Sequence, residues 1–416
     1  MKYSNYFYYL LVLNFLVFFG CKTVRPVSYE TPVDTSTKRI KIQEKKTYNI
    51  QEIGVYASNE FDAARLNGFE KENDSTIILI INPENTPINN SAYYAFKTWS
   101  DSPKTVYYQF QYPKGYKHRY IPKIKIDNEW TIIDSTQIFK KDSIITIKLQ
   151  LTKTPIIVSA QEIQSSSHVK NWYSNLLKNK EGFVQIKSIG KTTLGRNIPV
   201  LDISIGNNKQ KDIIVLLTRQ HPPEVTGYYA FQGFLETILN ESELSKKFLK
   251  KYRVLAFPIM NPDGVDLGHW RHNAGGVDLN RDWSVYNQPE IKSVVKYIDK
   301  SLKKSKSELI LGLDFHSTWY DVFYTNTQRK STAIPNFIDD WFSALEENID
   351  GYKVNEQAGN SNKPVSKGWF LYSHNAVGIT YEIGDKTSKE DIKIISGTSA
   401  NQMMNILLKS DTISVK

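Results

Sequence analysis

The chain has 416 residues, 40% of them hydrophobic and 23% charged, and a formal net charge of +10. Those are ordinary globular values at a length that accommodates two domains, with no low-complexity run and no internal repeat. Cys21 is the only cysteine, which excludes an internal disulfide and any multi-thiolate metal site.

The excess lysine gathers at Lys246 to Lys251 and Lys303 to Lys306, where it reads as solvated helix faces. No basic motif interleaved with aromatics marks a nucleic-acid partner.

Residues 1–20 read as an export signal. Lys2 is followed by an apolar run from Tyr8 to Phe19 and then Gly20-Cys21. The run is short for a membrane span and carries Asn14. It resembles a bacterial lipoprotein signal. That resemblance implies a lipidated Cys21 and an exported protein anchored in a bacterial cell envelope, facing the periplasm or the cell surface. Residues 21–47 are polar, hold Pro26 and Pro32, and read as a tether.

From 48 to 158 the pattern is β. Ser75 to Ile81, Thr105 to Tyr112, Thr131 to Ile133 and Ile144 to Leu151 read as strands. Turn-forming clusters separate them, such as Asn85 to Pro87, Asp101 to Pro103 and Asp127-Asn128. Short strands with regular turns predict an antiparallel β-sandwich. The stretch from Asn82 to Ser91 is expected to cap one end of a sheet.

From 160 to 412 strands and helices alternate. Strands are predicted at Gly195 to Ile205, Asp212 to Leu217, Tyr252 to Ile259, Glu308 to Asp314 and Gly378 to Glu382. Helices are predicted at Val169 to Leu177, Glu224 to Leu239, Glu241 to Lys250, Pro289 to Leu302, Pro335 to Leu345 and Ser399 to Leu408. Such alternation predicts an α/β fold with a mixed, mostly parallel sheet flanked by helices.

Four of these strands run into polar residues. The apolar run Ile213 to Leu217 leads to His221-Pro-Pro-Glu224. Proline is tolerated at a helix start, so His221 and Glu224 are expected on a first helical turn, both within reach of one metal ion. The other strands lead to Asn261-Pro-Asp-Gly264, to Asp314-Phe-His316-Ser317 and to Glu382. Two histidines and a glutamate are a common ligand set for a catalytic zinc that leaves a fourth position for water, and His316 supplies the third ligand. The edge at the carboxyl ends of the strands is where open α/β sheets bind ligands. Between the ligands lies Gly268 to Arg281. There Arg271, Asn280 and Arg281 offer donors that suit a carboxylate and a developing oxyanion. Asp278 could orient a metal-bound histidine.

Taken in order, Gly190-Lys-Thr-Thr-Leu-Gly-Arg196, His221-Pro-Pro-Glu224, Asn261-Pro-Asp-Gly264, Trp270-Arg271, Gly276-Val-Asp-Leu-Asn-Arg281, Phe315-His316-Ser317 and Tyr381-Glu382 resemble the zinc carboxypeptidase family. The short spacing from Arg271 to Asn280 and the preceding β-region are most similar to its cytosolic-carboxypeptidase subgroup. The resemblance implies one zinc per chain on His221, Glu224 and His316, Glu382 as general base and Arg271 as oxyanion stabiliser. It also implies Asn280 and Arg281 as the clamp for the terminal carboxylate of a peptide-like substrate. Ungapped matching from Glu382 puts Lys367 where the family reads the terminal side chain, and a lysine there favours an acidic residue. The family's substrate-covering tyrosine has no counterpart at the expected place, with Tyr352 and Tyr372 nearby.

Three functions compete on this reading. One is a zinc carboxypeptidase acting on peptides or on cell-wall stem peptides. Another is a zinc deacylase or amidase acting on N-acyl amino acids. The third is a binding protein without catalysis.

Overall fold

The structure is a computed structural model and describes residues 27–409. The expected signal segment and Cys21 lie outside the described residues.

Eleven strands come first: β1 (Thr47–Ile50), β2 (Val55–Ser58), β3 (Gly68–Lys71), β4 (Thr76–Ile80), β5 (Ala95–Ser100), β6 (Lys104–Gln111), β7 (Lys123–Ile126), β8 (Glu129–Ile132), β9 (Ile138–Lys141), β10 (Ile144–Leu151) and β11 (Ile156–Ser159). They form a six-stranded sheet, β1-β2-β5-β11-β7-β8, and a five-stranded sheet, β3-β4-β6-β10-β9. Alternate residues of β4, β6 and β10, such as Ile77, Leu79, Val106, Tyr108 and Ile147, join one buried cluster with Val55, Ala57 and Val158 of the other sheet. That is the packing expected of a sandwich, whose strands turn one face inward with period two. The pairing is antiparallel except between β4 and β6, which run parallel. The reason is topological: β5 sits in the opposite sheet, so the chain crosses over and returns in the same direction.

The second set is α1 (Ser166–Leu176), β12 (Val184–Lys191), β13 (Asn197–Ile203), β14 (Ile213–Thr218), α2 (Val225–Ile238), α3 (Glu243–Lys251), β15 (Arg253–Phe257), α4 (Pro262–Asp266), α5 (Pro289–Ser305), β16 (Leu309–Thr318), β17 (Val322–Thr325), α6 (Phe337–Asn348), β18 (Glu356–Ala358), α7 (Ser366–His374), β19 (Val377–Gly384) and α8 (Lys389–Lys409). Its eight strands lie in the order β12-β13-β15-β14-β16-β19-β17-β18. The centre, β15-β14-β16-β19, is parallel, and β12, β13 and β17 make antiparallel pairs.

Every residue of β14 is buried, as a central parallel strand covered on both faces requires. Ile214 and Leu216 pack towards α2, α3, α6 and α8. Ile213, Val215 and Leu217 face the other way, towards α5 and α7.

Residues 27–46 were expected to be a tether. They have no regular secondary structure, but they are packed: Thr35 Oγ1 donates to Asp282 Oδ1 at 2.5 Å, the Lys38 N–H to Gly275 O at 2.8 Å, and the Val27 N–H to Ser284 O at 3.2 Å. Polar composition reads as a solvated linker, yet here the polar groups find partners on the α/β part of the chain.

Candidate active site

His221 and Glu224 do not lie on the first turn of α2. The helix begins at Val225, and Pro222 and Pro223 occupy the tight turn before it. In that turn the Glu224 N–H reaches back to His221 O at 3.4 Å. Ahead of it Arg219 takes a left-handed φ of 59°, which turns the chain sharply off the end of β14. The consequence is geometric: His221 and Glu224 share one side of a turn rather than one face of a helix.

The remaining candidate ligand comes from β16. In its pairing with β19, His316 is the register partner of Glu382, so both side chains rise from the same face of the sheet on adjacent strands. Asp314 is two residues before His316 and projects the same way.

One potential ligand atom from each of His221, Glu224 and His316 lies within 4.8 Å of the others. His221 Nδ1 is 2.8 Å from Glu224 Oε1, and His316 Nδ1 is 2.6 Å from Glu224 Oε2. The outer nitrogens are held as well: His221 Nε2 is 2.9 Å from Asp278 Oδ1 and His316 Nε2 is 2.8 Å from Asp314 Oδ2. Each Nε2–H therefore has a carboxylate to donate to, which leaves each Nδ1 lone pair aimed at Glu224. A lone pair facing a carboxylate is repulsive unless a proton or a cation lies between them.

Burial pushes the Glu224 carboxyl up, but the two imidazoles outweigh it and hold it below the ordinary range. Burial also raises the Glu382 carboxyl, with neighbouring Glu224 adding to the shift and His316 and Arg271 opposing it. Glu382 Oε2 is buried and has no hydrogen-bond partner among the described residues. Four carboxylates thus meet two imidazoles and Arg271 in a largely buried site. The donor set is two imidazoles and one carboxylate, with a second carboxylate on the outer nitrogen of each ring. It fits zinc, and it matches the arrangement by which outer carboxylates fix a ligating histidine.

The loop after α4 brings the cations. Arg271 Nε donates to Asp278 Oδ2 at 2.7 Å. Burial disfavours the charge on Arg271, but Asp278 and Glu224 more than restore it. Arg281 Nη1 donates to Asn280 O at 2.5 Å and lies 3.9 Å from Asp278 Oδ2. Asn280 Oδ1 accepts from the Ser366 N–H at 2.9 Å, which leaves its amide N–H groups facing His316 and the cavity.

His221, Glu224, Arg271, Asn280, Arg281, His316, Lys367 and Glu382 line one cavity of about 690 Å³, joined by Trp319 and Tyr324. Every expected site residue in the α/β part is therefore in it or, for Asp278, hydrogen-bonded to it. Lys367 is buried at the start of α7, where its Nζ donates to Thr325 O at 2.9 Å and Gly359 O at 2.5 Å. Burial lowers its pKa from 10.5 to about 8.

The two nearby tyrosines do not reach the cavity. Tyr352 packs against the apolar core of the α/β part, and Tyr372 stacks edge-on with Tyr29 at 5.5 Å. The tyrosine that lines the cavity is Tyr324, on β17.

Several residues had no role in the sequence reading. Asp314 Oδ2 accepts from Gln220 Nε2 at 2.5 Å and from Ser366 Oγ as well as facing His316. Its position two before His316 on a strand was a readable signal. From the sandwich come Asn89, Asn90, Ser91, Lys117 and Arg119, which form one wall of the cavity. No local pattern marks those five, because the α/β residues that share the cavity with them lie more than a hundred residues away in the sequence. The stretch from Asn82 to Ser91 thus does more than cap a sheet.

Residues 169–401, more than half of the chain, match the zinc carboxypeptidase family, and the chain belongs to that family. It is similar to an uncharacterized protein of Zymomonas mobilis, 34% identical over 122 residues, covering 28% of this chain and 31% of that protein. It is also similar to mouse cytosolic carboxypeptidase 6, 25% identical over 155 residues, covering 36% of this chain and 29% of the relative. The matched segments span about a third of those relatives' own length.

Among solved structures, a metallo-carboxypeptidase from Burkholderia cenocepacia superposes with a TM-score of 0.71 at 15% identity, covering 85% of this chain and 99% of that one. A metallo-carboxypeptidase from Pseudomonas aeruginosa, in complex with (2-guanidinoethylmercapto)succinic acid, superposes with a TM-score of 0.67 at 18% identity, covering 84% and 98%. Both likenesses concern the fold, and their coverage extends beyond the eight-stranded sheet into the sandwich.

Proposed function

We propose that this chain is a zinc-dependent carboxypeptidase that releases the C-terminal residue of a peptide. The observation that supports this most is the convergence of His221, Glu224 and His316 beside Glu382, in a cavity that Arg271, Asn280 and Arg281 also line. His221, Glu224 and His316 would hold the zinc ion. When bound, zinc activates a water molecule and polarises a carbonyl.

The chain's own residues do the rest. Glu382 takes a proton at its unpartnered carboxylate oxygen and hands it to the leaving amine. Arg271, held by Asp278, offers its remaining guanidinium N–H groups to the oxyanion as charge develops there. Asn280 and Arg281 bind the terminal carboxylate, which restricts cleavage to chain ends. Asp278 and Asp314 hold the Nε2–H tautomers, so both Nδ1 lone pairs face inward.

The finer reading is that the released residue is acidic. Lys367 supports it: a buried cation in the cavity wall favours a carboxylate side chain. Free peptides and cell-wall stem peptides containing glutamate both present that chemistry. The Gly20-Cys21 sequence supports an exported protein with a lipid anchor at Cys21. Fatty-acid labelling that disappears in Cys21→Ser tests that part.

The decisive experiment is a residue-release screen on purified protein, with and without a chelator. Peptides with acidic and neutral termini are compared with N-acyl amino acids. Chelator-sensitive release of glutamate from peptides is expected. Turnover of N-acyl amino acids without turnover of peptides replaces this reading with a deacylase.

A further inference from the structure

The loop that carries Arg271 has no regular secondary structure, yet its start is fixed from outside. Glu84 comes from the sandwich, in the connection after β4, and is completely buried. Its carboxylate accepts three consecutive backbone N–H groups: Trp270 at 2.8 Å, Arg271 at 3.0 Å and His272 at 2.6 Å.

Neighbouring groups reinforce the contact. Arg65, buried and also from the sandwich, lies 3.5 Å from Glu84 Oε2 and donates from Nε to Gly268 O at 2.9 Å. Asn85 donates from Nδ2 to Gly276 O at 3.0 Å, and its Oδ1 accepts from His272 Nδ1 at 2.6 Å. The Trp270 indole is buried within the sandwich's own apolar cluster, edge-on to Tyr116 at 5.4 Å. Gly268 adopts a φ of 64°, and a Cβ there would stand 2.4 Å from Ala64 O, so the two backbones meet without room for a side chain.

A buried carboxylate on three successive amides is a strong, directional anchor, since charge-assisted hydrogen bonds are shorter and stronger than neutral ones. Its position in sequence gives it a further consequence. Arg271 is the middle residue of the three, and its side chain runs directly to Asp278, which holds His221.

We propose that Glu84, supplied by the β-sandwich, is a positioning residue for Arg271. It sets where the guanidinium stands relative to the reacting carbonyl, and so ties the sandwich to transition-state stabilisation rather than to support alone. This inference rests on the carboxypeptidase reading above. It assigns Glu84 no contact with substrate.

The test uses the full chain. Glu84→Gln keeps the shape but presents an amide N–H to backbone donors, and Glu84→Asp keeps the charge but draws it back by one methylene. If Glu84 acts through Arg271, Glu84→Gln lowers kcat on the order of tenfold to a hundredfold, as a small misplacement of a catalytic group does. KM and zinc content stay near those of the wild type, and Glu84→Asp recovers part of the rate. In an Arg271→Gln background the same Glu84→Gln change costs almost nothing more, because both substitutions remove one effect. An equal loss in both backgrounds overturns the proposal. So does a loss of zinc and a rise in KM in parallel with the rate.

A second measurement needs neither a variant nor turnover. In the wild type, hydrogen exchange at the Trp270, Arg271 and His272 amides should be slow despite their loop conformation, and free exchange there rejects Glu84 as their anchor. A wild-type protein that turns over no peptide sinks the carboxypeptidase reading and the catalytic half of this inference. The exchange pattern then still decides whether Glu84 fixes the loop.

Discussion

Asp314 and His316 stand two residues apart on β16, and Asp314 Oδ2 lies 2.8 Å from His316 Nε2. The period of a β-strand puts both on one face, so the strand that delivers the candidate ligand also delivers its hydrogen-bond partner. Asp314 is fully buried and in turn fixed by Gln220 and Ser366. His316, Asp314 and the two strands beside them therefore behave as one preformed unit.

Asp314→Asn tests that unit. The amide retains the shape but weakens the acceptor and can turn its N–H₂ towards His316. Zinc affinity should fall about 10- to 100-fold, the usual cost of losing an outer partner of a ligating histidine. Competition against a chromophoric chelator measures it, and unchanged affinity removes Asp314 from the site.

Glu382→Gln separates binding from proton transfer. Glu382 is not among the three candidate ligands, so zinc content should match that of the wild type, while kcat drops about 10²- to 10⁴-fold. Metal analysis alongside steady-state kinetics gives both numbers. Full turnover with zinc present dismisses Glu382 as the base.

Lys367 yields a pH dependence. Burial lowers its pKa to about 8, so the side chain is cationic below that pH and loses its charge above it. The kcat/KM ratio of a glutamate-terminated to a glutamine-terminated peptide should therefore decline as pH rises through about 8, since kcat/KM follows the free enzyme. Lys367→Met should flatten that ratio at every pH. The folded pKa also lies below the unfolded value, so unfolding takes up a proton between about pH 8 and pH 10.5. Lys367's contribution to stability thus increases with pH across that window. A glutamate preference that ignores pH and survives Lys367→Met assigns it to another residue.

Gly227 offers a structural test. It lies on α2 where the helix crosses β16, and a Cβ there would come within 2.2 Å of His316 O. Gly227→Ala has to push the helix off the strand that holds the ligand. A stability loss of about 1–3 kcal/mol is expected, as for other overpacked sites, together with weaker zinc binding. Thermal unfolding with and without added zinc reads both. An alanine variant as stable as the wild type shows that helix and strand are not in rigid contact.

The amino-acid sequence alone determined the zinc carboxypeptidase family and most of the α/β skeleton. Ile144–Leu151 appears as a strand with the predicted bounds, and β14, α2, β15, α5 and α6 fall within a few residues of expectation. Their apolar runs and helical periods are local, and burial of those side chains leaves them little choice. The candidate ligands were legible for a related reason: each stands at the end of such an element, in a motif a few residues long.

What the sequence left open depends on contacts between distant residues. Short edge strands such as β1, β3, β9 and β18 have too few residues to show a period, and only their partners define them. The parallel pairing of β4 with β6 follows from the placement of β5 in the other sheet. The turn at Arg219 moved His221 and Glu224 off the helix they were expected to begin. Asp314 could be found from its spacing to His316, whereas Glu84 could not. A buried carboxylate is marked by the amides that close on it, and those amides come from a loop 186 residues further along the chain. Local pattern is set by the exchange of side chains between water and core, which neighbours in sequence share. The grip of the sandwich on the Arg271 loop is set by which surfaces meet once both parts have folded, and only the tertiary structure decides that.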